Sequence, residues 1–210
     1  MLKNKFLATG VVVFLCASAV LAARLSRPGP EEILRRSFAE RATGDPQAPV
    51  SIVEYFDYQC PPCALAHEML DEAIKKHPGK IRLEVRYMPW PAHQNALKAA
   101  TYADCLSRQK GKFWPFSDLV FDHQQEWAHD PYADVRFVSY AGSVGADLRA
   151  LDGCVKDPAT EKTILDEKEK GLALGIQTTP SFYINGQLVV GNDGLKAELD
   201  KLEAPSPAVS

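Results

Sequence analysis

Apolar positions along the chain fall into blocks with different periods. Ser51 to Asp57 (Ser-Ile-Val-Glu-Tyr-Phe-Asp) is β-branched and aromatic, the pattern of a buried strand. From Pro61 the spacing changes to helical, because Leu65, Ala66, Met69, Leu70, Ala73 and Ile74 recur on one face. Proline is favoured in a first helical turn, and His77-Pro78-Gly79 marks the end. Ile81 to Tyr87 alternates apolar and charged residues, which predicts a strand with one wet face. Pro89-Trp90-Pro91 breaks that pattern.

Helices and loops are predicted from His93 to about Ala159. Ala96, Ala99, Ala100 and Ala103 form a small-residue face suited to close packing, and Asp147 to Cys154 reads as a short helix. A charged amphipathic helix from Ala159 to Leu174 follows. Thr178-Thr179-Pro180 then leads into a strand over Ser181–Ile184. Asn185-Gly186 is a strong two-residue hairpin turn, with Gln187–Val190 as the returning strand. A helix from Gly194 to Leu202 closes the pattern. The order is β, α, β, helical insertion, α, β-hairpin, α.

The ends read differently. Lys3 and Lys5 precede an uncharged stretch from Phe6 to Ala23, as in a secretory signal with Ala22 and Ala23 suited to cleavage. Residues 1–23 are therefore read as a signal peptide, with an uncleaved membrane anchor as the alternative. Leu15 stands before Cys16 where a lipid-attachment motif needs a small residue, so Cys16 reads as an apolar filler. Residues 24–44 read as a polar linker with a short helix around Glu31 to Glu40. The folded domain is expected over 45–203, with its insertion at about 89–159 and a flexible tail at 204–210. Export places the protein outside the cytoplasm, in a periplasm or its equivalent.

Composition narrows the function. The chain has 210 residues and a formal charge of −3, with no basic patch for nucleic acid. Beyond the leader it keeps Cys60, Cys63, Cys105 and Cys154, and an even count behind an export signal favours disulfides. Cys105 and Cys154 fall on separate predicted helices of the insertion. They are expected to form a structural disulfide, with two separate buried thiols as the alternative.

Cys60-Pro61-Pro62-Cys63 follows a strand directly and opens a helix, the context of a thioredoxin-like redox site. A helix N-terminus favours negative charge, and the thiolate is the attacking species. Cys60 is thus the accessible nucleophile and Cys63 the resolving thiol. Pro62 has no N–H, so the Cys60 thiolate lacks one donor at the helix start, which predicts a milder oxidant. The competing readings are a structural bridge and a metal site. His67 lies four residues past Cys63, so Cys60, Cys63 and His67 form a partial ligand set for zinc or copper, but a fourth strong ligand is not evident. No metal is therefore expected. Ala64 stands where haem attachment needs a histidine. His93, His123 and His129 are scattered and read as surface or capping residues. Trp114 and Trp127 are expected to pack the insertion, and Trp90 to pack there or to edge a substrate groove.

Glu-Tyr-Phe-Asp-Tyr-Gln-Cys-Pro-Pro-Cys, followed far downstream by Thr-Thr-Pro-Ser-Phe-Tyr-Ile-Asn-Gly, resembles the DsbA-like branch of the thioredoxin superfamily over roughly Val50 to Leu202. The resemblance implies an α/β thioredoxin-like fold with a helical insertion between a βαβ half and an αββα half. It also implies that Pro180 is a cis-proline facing the active cysteines and that Thr179 lines the substrate groove. Glu54, six residues before Cys60, would then be a buried acid assisting proton transfer at Cys63; the alternative is an exposed strand residue. The implied activity is thiol–disulfide exchange with reduced or misoxidised client polypeptides, most readily as a dithiol oxidase. A membrane partner would recycle it, with no organic cofactor, and a monomer is expected. The alternatives are a reductase or isomerase using the same site, or a non-catalytic redox-sensing or metal-handling module.

Overall fold

The computed structural model describes residues 38–203. The leader, the stretch to residue 37 with most of the expected short helix, and the tail from 204 lie outside the described residues. A five-stranded sheet runs in the order β1-β3-β2-β4-β5. Its strands are β1 (Ala42–Gly44), β2 (Val50–Phe56), β3 (Ile81–Tyr87), β4 (Ser181–Ile184) and β5 (Gln187–Val190).

Helix α1 (Pro61–Lys76) crosses over between the parallel strands β2 and β3. The chain then leaves the sheet for α2 (Ala96–Ser107), α3 (Phe113–Asp122), α4 (Gln124–Trp127), α5 (Ala133–Ser143) and α6 (Leu148–Val155). It returns through α7 (Pro158–Ala173), pairs β4 antiparallel to β2 and β5 antiparallel to β4, and ends in α8 (Gly191–Glu203). This is the thioredoxin-like arrangement with its helical insertion.

Each element has a local cause. Ile81, Leu83, Val85 and Tyr87 alternate inward along β3. Asp147 and Asp157 cap α6 and α7 by accepting from backbone N–H groups that have no partner within the helix. Lys75 and Lys76 complement the C-terminal dipole of α1. In α2 the four alanines lie at no more than 2% exposure, which lets the helix sit at the centre of the insertion. One apolar cluster runs from Ile52 and Leu70 under the sheet to Phe116, Trp127 and Phe137 in the insertion. Trp127 donates from its indole to the Val120 carbonyl at 2.7 Å.

Two expectations are corrected. Leu65 is 50% exposed rather than part of the inward face of α1, whose buried positions are Cys63, Ala66, Leu70 and Ala73. With Cys63 pointing inward, a residue two places on is rotated roughly 200° away. The sheet also begins before Asp45. β1 pairs antiparallel with β3, and ahead of it Arg41 is fully buried. The Arg41 guanidinium makes two bonds to Glu167 on α7, at 2.8 and 3.0 Å, between the rings of Phe38 and Tyr87. A three-residue strand is too short to show a period, which is why this stretch reads as linker.

Candidate active site

β2 delivers the site. Past Phe56 the chain turns at Asp57, which is 1% exposed. Its Oδ1 accepts the Gln59 N–H at 2.7 Å, and its Oδ2 accepts the Trp90 N–H at 2.8 Å and bonds His93 Nδ1 at 2.7 Å. The Asp57 carbonyl accepts the Cys60 N–H at 3.1 Å. Cys60 is the N-cap of α1 and keeps extended backbone angles, with Pro61 and Pro62 filling the first turn.

The two thiols are free and differ in access: Cys60 is 7% exposed and Cys63 is 0% exposed. They differ in acidity as well. A hydrogen bond from the Cys63 thiol is the largest influence on Cys60 and brings it down to about 6. The Thr179 side chain and the Cys63 N–H act in the same direction, while burial and the Asp57 charge oppose them. Cys63 is pushed well above its ordinary value, first by burial and then by its bond to Cys60. The pair is thus divided into one thiol that ionises near neutrality and one that keeps its proton.

The Thr179–Pro180 peptide is cis, and the Thr179 carbonyl oxygen lies 3.5 Å from Cys60 Sγ. Trp90 Nε1 donates to Thr179 Oγ1 at 3.0 Å. Trp90 therefore stands at the site rather than in the insertion core.

Glu54 points inward from β2 at 3% exposure, and its Oε1 has no hydrogen-bond partner. Burial, then the nearby Cys60 charge, raises its carboxyl to about 8. In the insertion, Cys105 and Cys154 are joined as a disulfide.

Several residues at the site have no sequence signature. Gln124 on α4 is buried and donates from Nε2 to the carbonyls of Tyr58 at 2.7 Å and Cys60 at 3.1 Å. Asn192 on α8 donates to the Pro62 carbonyl at 3.0 Å. Gln59 Oε1 accepts the Asn95 N–H at 2.8 Å. His93, read as a surface or capping residue, bonds the buried Asp57 instead. His67, weighed as a third metal ligand, is committed elsewhere: Nε2 lies 2.8 Å from Asp118 and its ring stacks on Trp114. Among the described residues, no group of three or more His, Cys, Asp or Glu is arranged to hold a metal ion.

Known proteins share the family and the fold. A thioredoxin family model matches residues 37–202. The Na(+)/H(+) antiporter NhaA 1 of Mycolicibacterium vanbaalenii is 32% identical over 192 residues, which is 86% of this chain but 30% of that protein. A Herminiimonas arsenicoxydans protein of the same name is 27% identical over 161 residues, covering 77% of this chain and 25% of its own length. The chain thus spans less than a third of these curated relatives, and their transport name describes proteins much longer than the matched part.

Solved structures give the fold. Wolbachia pipientis alpha-DsbA1 superposes with a TM-score of 0.66 at 24% identity, over 85% of this chain and 94% of that one. A thioredoxin-like oxidoreductase from Silicibacter pomeroyi gives 0.63 at 25% identity, over 82% and 99%. BdbD from Bacillus subtilis gives 0.66 at 20% identity, over 78% and 93%.

Proposed function

The chain belongs to the thioredoxin family and has the fold of its DsbA-type members, and on that premise we propose that it exchanges disulfides with client polypeptides through Cys60 and Cys63. The observation that carries this reading is the divided pair: the more exposed thiol lowered to about 6 at the start of α1, with a fully buried, proton-holding thiol one turn behind it.

The preferred direction is dithiol oxidation. A client thiolate attacks Cys60 Sγ of the Cys60–Cys63 disulfide, and the sulfur of Cys63 leaves. Glu54, protonated up to about pH 8, hands Cys63 a proton. A second client thiolate then attacks the client sulfur of the mixed disulfide, and Cys60 leaves as thiolate. The client loses two electrons and the enzyme pair gains them. A sulfur that is stable as thiolate is a good leaving group, and stabilising the reduced pair makes the disulfide oxidising. Thr179 and Pro180 border the groove in which an extended client would lie beside Cys60. The reduced pair is then returned to the disulfide by a membrane redox partner. The site would work outside the cytoplasm, in a monomer.

A reductase or isomerase direction is favoured by one observation. Pro61 and Pro62 occupy the first two helical positions, so neither offers an N–H to the Cys60 thiolate. The deciding experiment is the equilibrium constant of Cys60–Cys63 against glutathione, together with oxidation of a reduced, unfolded client. A constant in the range of cytosolic reductants, with no client oxidation, would reject the oxidase. Stoichiometric zinc or copper after purification under reducing conditions would favour a metal-handling module instead.

A further inference from the structure

Asp57 is out of place in the chemistry described above. A carboxylate just before a nucleophilic cysteine works against the thiolate, and the Asp57 charge does push the Cys60 thiol up. Its donors suit the ionised form, because peptide N–H groups of Gln59 and Trp90 point into it. The third group on the same carboxyl is His93, whose Nδ1 lies 2.7 Å from Oδ2. The carboxyl is fully shielded, while the His93 side chain keeps 28% exposure at the rim and can exchange protons with water. A neutral imidazole there is one more donor. An imidazolium also cancels a buried charge on the Cys60 side of the turn.

We propose that His93 is a positioning residue that acts through Asp57: its cationic form offsets the carboxylate behind Cys60 and so sets how oxidising the Cys60–Cys63 pair is. This deepens the disulfide-exchange reading and rests on it. Other charged groups near this loop are already committed. Lys168 on α7 donates to the Pro89 carbonyl at 2.8 Å and lies over the Trp90 ring. Asp130, on the turn whose carbonyl accepts from Asn95, is paired with Arg136 at 2.9 Å. Glu54 on β2 is buried and protonated up to about pH 8. That leaves His93 as the ionisable side chain bonded directly to Asp57.

The test compares three proteins that differ only at this rim position. His93→Gln keeps a neutral donor, and His93→Lys places a permanent cation. Cys60 ionisation is read from thiolate absorbance, and the redox equilibrium is read against glutathione. The Gln variant is expected to lower the Cys60 ionisation constant about threefold to tenfold and to make the disulfide less oxidising. The Lys variant should match or exceed the wild-type ionisation constant. A purely structural His93 would make Gln behave as wild type. That result, or Gln and Lys shifting Cys60 in the same direction, overturns the proposal. If Gln fails to fold, the Lys comparison still decides it, because a Lys variant with a weaker Cys60 acid is incompatible with charge compensation. Failure of wild-type protein to equilibrate with glutathione would overturn the exchange reading instead, while the absorbance titration would still judge His93.

Discussion

Trp90 holds Thr179 by its hydroxyl, with Nε1 donating to Oγ1 at 3.0 Å, while the Thr179 carbonyl lies 3.5 Å from Cys60 Sγ. Because the indole occupies an acceptor site of the hydroxyl, the hydroxyl proton is left to point toward another acceptor. The Thr179 side chain lowers the Cys60 pKa in that way. Thr179→Val should therefore raise the Cys60 pKa from about 6 by about one unit. Thiolate absorbance against pH measures it, and an unchanged titration would remove the hydroxyl from the account.

Glu54 gives a stability signature with a definite sign. Folded, it keeps its proton up to about pH 8; unfolded, it releases it near the ordinary value of 4.5. Between those limits the unfolded chain binds fewer protons, so stability falls as pH rises. Glu54→Gln should leave the denaturation midpoint of the reduced protein unchanged at pH 4. At pH 8 it should add about 4 kcal/mol of stability at most. The same variant should slow disulfide exchange by at least about tenfold, since Cys63 loses its proton partner. A gain in stability that is equal at both pH values would contradict the buried-acid assignment.

Much of this site was readable from spacing. The β-branched and aromatic strand before Cys60, the helical spacing from Pro61, the β3 alternation and the Asn185-Gly186 turn each appear where the sequence puts them. The polar partners were not readable. Arg41 and Glu167 are 126 residues apart, Trp90 and Thr179 are 89 apart, and Asp57 and His93 are 36 apart. A single buried hydrogen bond between distant residues leaves no period in either segment. Leu65 shows the converse case: an apolar residue at helical spacing that faces outward because Cys63 fixes the rotation of α1.

Pro62 offers a direct handle on oxidising strength. Replacing it with histidine restores an N–H at the second position of α1, where it can reach the N-cap sulfur. Pro62→His is expected to bring the Cys60 pKa below about 6 and shift the equilibrium with glutathione toward oxidation about tenfold. No movement in either quantity would mean that the Cys63 thiol, rather than the helix end, governs Cys60.

The disulfide in the insertion should matter to stability and not to chemistry. Cys105 and Cys154 close a loop over a separation of 49 residues. The chain-entropy relation assigns such a loop about 4 kcal/mol. A Cys105→Ala/Cys154→Ala double variant should lose up to that amount in denaturant titration, while Cys60 keeps its pKa.

Arg41 and Glu167 form a pair in which the loss of one partner is worse than the loss of both charges. Arg41→Met takes both direct guanidinium bonds from a buried carboxylate, leaving it the Tyr87 N–H at 3.0 Å and the more distant Arg86 guanidinium at 3.8 Å. The expected cost is about 3–5 kcal/mol. Arg41→Met combined with Glu167→Gln keeps an acceptor for Tyr87 and removes the stranded charge, so most of the loss should be recovered. Equal losses in the single and double variants would assign the effect to packing alone.

Gln124 has a mechanical consequence. It sits on the short α4 of the insertion, yet its side chain grips the carbonyls on either side of Gln59, including that of Cys60 itself. Tyr58 is held from the insertion as well, by its hydroxyl against Ser117 at 2.6 Å. An insertion that swung open as a rigid cap would have to break these bonds to Tyr58 and Cys60. The helical block is thus a buttress to Cys60, and a load placed on α4 is passed to the start of α1.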